Sequence, residues 1–373
     1  MRYRMDYTLI KRKLPSGKVV YYYAIYDEDN KRIYRSTGEK SKAKADAYVR
    51  SLQEKGRLGI IDRYMTTLKD YAADFFIPGK CPIEKYNHTR GKSMTKATLS
   101  VRRAALVEHI FPYLGSHAVY NISPKLVNKW LMEVPEKDGV SRTTANTYLV
   151  ALRLVMEQAV RDGIVKTNPC MEVENLGSDT TRRQAFTIDE VRSIIGREED
   201  WANPMIRSMC LVAAVTGMRM GEVRALKPEC VTREAIIIKA SFSNADGYKT
   251  PKNGKERLSP IPEGVYEEIM KYRNGDGYIF RMYLDDKPVS ASWIKKSLDK
   301  RMKDLGIKDK SFHGFREFFN TQMMSANVNE TSLRAVIGHA DANMTNRYLH
   351  IESAEFPVFR EAQLGLMNKI TIG

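Results

Sequence analysis

The sequence predicts a multidomain protein, mainly α with small β-sheets. A three-stranded sheet plus helix comes first, then a helical unit, then a mixed α+β unit. Three observations carry this reading. Residues 7–38 are rich in β-branched and aromatic side chains broken by turn residues, residues 65–168 repeat apolar side chains at helical spacing, and periodicity is lost over 170–183 before a fresh helix start at Thr187. At 373 residues the chain exceeds one ordinary domain. The divisions fall at 1–60, 61–170, a linker over 171–185, and 186–373.

In the first unit, Lys18 to Tyr26 and Lys31 to Gly38 read as strands joined by the turn residues Asp27 to Asn30, with a shorter strand from Tyr7 to Arg12 before them. Ser41 is placed to cap a helix through Ala43, Ala47 and Leu52. Arg32 and Arg35 are among the basic residues of the sheet. A β-ribbon is one of the shapes that enters a DNA major groove, and a small adaptor domain with a basic surface reads the same way.

In the second unit, Thr98 to Phe111 has helical spacing and is expected to stop at Pro112. Ser123 and Pro124 supply an N-cap and a first-turn proline for a helix with the stripe Leu126, Val127, Trp130 and Leu131. Thr144 to Arg161 makes another, burying Leu149, Leu152, Val155, Met156 and Ala159. These stripes are core. Lys92, Lys96, Arg102, Arg103 and Arg142 lie among them as candidates to follow a phosphate backbone, although most basic residues on helices are simply solvated.

The formal net charge of +16 is spread along the chain and favours a polyanionic partner over a merely solvated surface only when other features agree. Cys81, Cys170, Cys210 and Cys230 are scattered, which argues against a disulfide framework or a zinc site and for a reducing compartment. The N-terminus lacks the apolar core of a signal peptide, and no apolar run approaches the ~20 residues that cross a bilayer. A cytoplasmic protein without a membrane partner is expected.

Chemistry concentrates in the last unit, which opens on a capping box at Thr187 to Glu190. A mostly apolar helix from Met205 to Val215 runs into a turn that sets Arg219 between Gly217 and Gly221, with Glu222 three residues on. On these residues alone a structural Arg–Glu pair is the preferred reading. Ala235 to Ala240 and Arg257 to Ile261 read as paired strands with a basic turn, Tyr248 to Lys255, between them. A lysine there suits proton delivery to a leaving oxygen, though such loops are usually just exposed. His313 and Arg316 share a helix face, His339 follows Gly338, and Tyr348 comes nine residues later.

Taken in this order, the motifs resemble the tyrosine recombinase family, the phage-type and conjugative-transposon integrases, over nearly the whole chain. Thr-Gly-Met-Arg-Met-Gly-Glu matches the first arginine box at Arg219, His-Gly-Phe-Arg the second at His313 and Arg316, and Ile-Gly-His with the later tyrosine supplies His339 and Tyr348. Ile337 stands where the family commonly has leucine. For the hairpin lysine, the spacing to Pro260 selects Lys252, with Lys249 and Lys255 competing.

The resemblance implies a catalytic set of Arg219, Lys252, His313, Arg316, His339 and the nucleophile Tyr348. Glu222 would support Arg219 and His313, and Lys249 would be a further DNA contact. It implies an arm-type DNA-binding sheet, a helical core-binding domain and a catalytic domain whose tail, with Phe356, Val358, Phe359, Leu364 and Met367, packs on its own or a neighbouring protomer. Integration and excision would pass through a 3′-phosphotyrosine link and a Holliday junction, within a homotetramer on double-stranded DNA with core and arm sites. An excisionase, a host DNA-bending protein and nucleoid association belong to the same picture; no cofactor or metal does. A Xer-like chromosome or plasmid resolvase shares the chemistry, a related topoisomerase would relax supercoils instead, and a non-catalytic DNA-binding regulator is the alternative outside enzymes.

Overall fold

The computed structural model describes residues 6–14, 17–26, 32–54, 66–179, 185–250, 256–282, 287–338 and 355–371. Lys252, Lys255, His339 and Tyr348 lie outside them. Two compact units divide the chain, Met1–Thr180 and Thr181–Gly373.

The first unit contains two separate apolar clusters. One belongs to an antiparallel sheet of β1 (Thr8–Lys13), β2 (Val19–Tyr26) and β3 (Arg32–Ser36), in that order, with helix α1 (Lys42–Glu54). Strand alternation sends Leu9, Tyr23, Ile25 and Ile33 towards Val49 and Leu52 of the helix. The buried side of α1 is Ala45, Val49 and Leu52, while Ala43 and Ala47 are exposed, because the helical period counts back from Leu52 through Val49 and Ala45. Register places Arg35 opposite Tyr23, on the helix side of the sheet. Arg32 falls on the other face, as does Arg12, whose guanidinium lies 4.9 Å and 4.8 Å from the ring centroids of Tyr22 and Tyr34.

The second cluster is helical: α2 (Leu68–Tyr71), α3 (Pro82–His88), α4 (Lys96–Ala104), α5 (Phe111–Leu114), α6 (Pro124–Lys137) and α7 (Arg142–Arg161). Between α4 and α5 the chain continues through a π-helical stretch, Ala105–Ile110, so the helical course does not stop at Pro112. The proline falls in the first turn of α5, where its missing N–H leaves no ladder position empty. Ser123 and Ser141 cap α6 and α7 by accepting from the Leu126 and Thr144 amides. Val127, Trp130, Leu131, Leu149, Leu152 and Val155 fill the core.

In the second unit, α8 (Ile188–Ile195) starts at the capping box formed by Thr187 and Glu190. Next come α9 (Pro204–Thr216) and the short α10 (Met220–Arg224). Then β4 (Ala235–Ile238) pairs antiparallel with β7 (Arg257–Pro260), as the sequence suggested, while β5 (Ser241–Ser243) and β6 (Gly247–Lys249) form a hairpin of their own between them. Helices α11 (Glu263–Met270), α12 (Ala291–Asp304), α13 (His313–Ser325), α14 (Glu330–Ile337) and α15 (Glu355–Ile370) complete it. Every residue of α9 from Met205 onward is buried, and α8, α11, α12, α13 and α15 all pack against it. A mostly apolar helix belongs at the centre of a core, and its one charge, Arg207, is paired with the buried Glu268 at 2.8 Å.

The tail helix α15 packs on its own unit. Phe359, Leu366 and Ile370 are buried in the same core, Phe356 and Met367 lie against it, and Val358 and Leu364 are exposed. Cys81 and Cys170 are buried thiols of the first unit, Cys210 and Cys230 of the second. Among the described residues, no helix is long and apolar enough to cross a membrane.

Gly217 ends α9 in the left-handed region at φ +66°, and a Cβ there would sit 2.5 Å from Cδ1 of Phe319. Gly217→Ala is therefore expected to destabilise this unit by about 1–3 kcal/mol through combined strain and overlap. A lowered unfolding midpoint by circular dichroism would show it; an unchanged midpoint would mean that Phe319 yields freely.

Candidate active site

The chain reverses at Gly217, so that Arg219 becomes the N-cap of α10 and Glu222 its third residue. Glu222 reaches back to the Arg219 amide, its Oε2 accepting at 2.8 Å, while its Oε1 accepts from Arg219 Nη1 at 3.0 Å. The local spacing alone produces this part. The rest is tertiary: Arg257, at the head of β7, donates Nη1 to Oε1 at 2.9 Å and Nη2 to Oε2 at 2.6 Å. Both partners of this fork are buried, Glu222 at 2% and Arg257 at 5% exposure.

Burial by itself would raise the Glu222 carboxyl; hydrogen bonds and charge from Arg257, then from Arg219, hold it below the usual carboxylate range instead. His313 was expected to share Glu222. Among the described residues it makes no hydrogen bond to it, and its side chain stands exposed at the first position of α13.

Arg316, one turn along α13, is 2% exposed. Its Nη1 donates to the Gly217 carbonyl at 2.9 Å and its Nη2 to the Ile337 carbonyl. Burial, then the positive charges of Arg219 and Arg257, push its pKa down to about 9, with Glu222 opposing them. Among the described residues, Arg219 and Arg257 thus bond to one carboxylate with Arg316 close enough to feel its charge, and the cluster is short of negative charge. The Arg257 Nε donates to the Val336 carbonyl at 2.7 Å, so two successive carbonyls at the end of α14 are taken by Arg257 and Arg316. Gly338 closes that helix at φ +68°, where a Cβ would lie 3.1 Å from Cδ of Arg257. His339 follows it in sequence.

The structure therefore brings Arg219, Glu222 and Arg316 together, with His313 on the same helix as Arg316. It adds Arg257, which the sequence reading treated only as part of a strand. An arginine within a strand beginning just after a basic loop carries no local sign of burial; the carboxylate that needs it lies 35 residues earlier. Arg224 was also missed. It is buried, donating Nε to the Val289 carbonyl at 2.7 Å and Nη2 to Asn244 Oδ1 at 2.8 Å, and so pins the β5–β6 hairpin to α10.

The other basic candidates divide. Lys249 is paired with Asp246 at 2.6 Å. Arg103 donates Nη1 to the Ala72, Ala73 and Phe75 carbonyls, and half-buried Arg102 contacts the Met94 sulfur at 3.8 Å. Lys92, Lys96 and Arg142 have exposed side chains. The Arg142 amide is capped by Asp179 at 2.7 Å.

Two family profiles match the chain, the phage integrase SAM-like domain over residues 82–174 and the phage integrase family over residues 184–355. The chain belongs to the phage integrase family of tyrosine recombinases. All the residues singled out as catalytic fall within the second match. The tyrosine recombinase XerD of Halalkalibacterium halodurans is 24% identical over 243 residues, 62% of this chain and 78% of its own. The integrase of Mycobacterium phage L5 is 25% identical over 268 residues, 68% of this chain and 70% of its own.

Among solved structures, the Tn1549 transposon integrase in complex with circular intermediate DNA aligns with a TM-score of 0.57 at 20% identity, covering 71% of this chain and 92% of that one. A lambda integrase tetramer bound to a Holliday junction aligns at 0.60 and 16% identity, covering 93% and 99%. At these identities the structural likeness speaks for the fold. Family membership makes the chain a tyrosine-type site-specific recombinase.

A cluster short of negative charge should bind an oxyanion. Because burial and neighbouring positive charge lower the folded-state pKa of Arg316 to about 9, folding below that pH carries the cost of holding its charge, and stability from this group rises with pH only above it. A bound anion offsets the cost at neutral pH. Inorganic phosphate at about ten times its Kd is expected to raise the melting temperature by ~2–4 °C at matched ionic strength, and Arg219→Gln to lose most of that rise. Equal shifts in both proteins would place the anion elsewhere.

Proposed function

We propose that this recombinase is an integrase, catalysing integration and excision of a mobile element through a covalent 3′-phosphotyrosine intermediate and a Holliday junction. The observation that carries the chemistry is the guanidinium cluster around Glu222, short of negative charge and adjoining the helix start that bears His313. A scissile phosphate supplies the missing charge. In this reading Arg219 and Arg316 donate to its non-bridging oxygens and neutralise the charge that builds in the transition state.

Tyr348 attacks the phosphorus in line, forming the phosphotyrosine bond as the bond to the 5′ oxygen breaks. A phenol with a pKa near ~10 needs help to lose its proton; His313 either takes that proton or donates a hydrogen bond to the phosphate. Lys252 protonates the departing 5′ oxygen, and His339 holds the phosphate by a hydrogen bond. Lys249 suits this acid role less, because Asp246 already holds its ammonium. Glu222 orients Arg219. The phosphotyrosine bond keeps the energy of the phosphodiester, so the reverse step on a partner duplex rejoins the strands without a nucleotide cofactor.

The three-way division into 1–60, 61–170 and 186–373 joined by a 171–185 linker assigns arm-site binding, core-site binding and catalysis to successive parts. The aromatic and arginine face of the N-terminal sheet, with Arg12 between Tyr22 and Tyr34 and with Arg32 beyond, supports arm-site DNA as its partner. Arg35 is on the opposite face and is assigned no base contact. Lys92, Lys96 and Arg142 are assigned to the core-site backbone. Four copies would assemble on two duplexes in the cytoplasm at the nucleoid, with an excisionase and a host DNA-bending protein setting direction. A Xer-like resolvase remains the second reading, favoured by the XerD likeness.

Two measurements test this. A suicide duplex nicked near the crossover is expected to give a covalent adduct on a denaturing gel with the native protein and none with Tyr348→Phe; an adduct that survives the change would move the nucleophile elsewhere. Deletion of residues 1–60 should abolish integration between arm-bearing sites while leaving cleavage of a minimal core site, and full recombination by the truncated chain would point to the resolvase.

A further inference from the structure

A carboxylate offers about four lone-pair positions, and at Glu222 four donors fill them. They are the Arg219 amide, Arg219 Nη1, and Arg257 Nη1 and Nη2. Two of the four come from Arg257, which is the more deeply buried arginine. Arg219 gives the carboxylate one guanidinium N–H, and among the described residues its remaining guanidinium donors have no hydrogen-bond partner, with the side chain 30% exposed. Arg257 is committed to protein partners in this arrangement: both its Nη atoms donate to Glu222 and its Nε donates to the Val336 carbonyl.

We propose that Arg257 is a positioning residue of the recombinase, filling Glu222 so that the carboxylate cannot close onto Arg219 as a fork and take the donors that phosphate needs. The inference rests on the reading of Arg219 as a phosphate ligand. Its physical basis is competition. An Arg–carboxylate pair prefers the bidentate form, and two unfilled lone pairs in a buried site are costly. Remove Arg257, and the nearest donors that can fill Glu222 belong to Arg219. The same arginine fixes the last turn of α14 through Val336 and packs its stem against Gly338, so one side chain ties the Arg219 turn, strand β7 and the helix before His339 together.

Stability alone does not account for such a pair, since well-packed apolar residues often serve a core as well as a buried ion pair. The test separates binding from cleavage, using full-length protein and the nicked suicide duplex. Arg257→Met is expected to slow adduct formation on the order of 100-fold, with DNA affinity close to native, because misplacing a ligand by about an ångström costs that much. Arg257→Lys, which keeps the charge and guards against loss of folding, should be slowed as well, since one ammonium cannot fill both oxygens and reach Val336.

In a Glu222→Gln background, adding Arg257→Met should cost little more, as expected of residues acting through one another. Native-rate cleavage by Arg257→Met or Arg257→Lys, or fully additive losses in the double variant, would overturn the proposal. Absence of adduct with native protein would overturn the functional reading instead, which keeps the two failures distinct.

Discussion

One buried carboxylate organises the second unit. Glu222 draws the Arg219 turn back onto itself through a local motif, and it draws Arg257 in from a strand distant in sequence. Arg257 would not tolerate its burial at 5% exposure without a negative partner, and Glu222 would not stay ionised at 2% exposure without the two arginines. Arg316 is different in kind. It donates to the Gly217 and Ile337 carbonyls and, among the described residues, to no carboxylate, which is why its charge is held at a cost. The site is a balance left one anion short, supported by a central helix that ends where the balance begins.

Much of this was legible in the chain because the relevant signals are local. The capping box at Thr187 and Glu190, the serine caps at Ser123 and Ser141, and the mostly apolar run of α9 each depend on residues within a few positions of one another. Arg219, Glu222, His313 and Arg316 were legible as an ordered set of motifs, and the structure gathers Arg219, Glu222 and Arg316 into one electrostatic cluster. His339 and Tyr348 were equally legible as motif residues and lie outside the described residues.

What was not legible depends on tertiary partners. Arg257 gave no hint, because a basic residue at a strand end ordinarily meets water. The β5–β6 hairpin escaped because strands of three residues are too short for alternation to show. Arg102 and Arg103 look like surface cations in a helical repeat, yet Arg103 closes three carbonyls at the end of a short preceding helix. Pro112 is instructive for another reason. A proline stops a helix only if its absent N–H interrupts the ladder, and the π-helical stretch before it shifts the ladder so that it does not.

The tail helix has a consequence for how the protein is made. Phe359, Leu366 and Ile370 share one core with Phe186 and α9, and the buried Gln363 donates to the Val215 carbonyl one turn before the Arg219 bend. Synthesis runs from the N-terminus, and domains generally fold as units, so the first unit has its whole core in hand while the ribosome is still working on the second. The second unit needs core residues spread from Phe186 to Ile370, so its core is assembled from widely separated parts of the sequence. A nascent recombinase can therefore complete its helical unit early, whereas the packing behind its arginine cluster cannot close until the helix carrying Phe359, Gln363, Leu366 and Ile370 has been made.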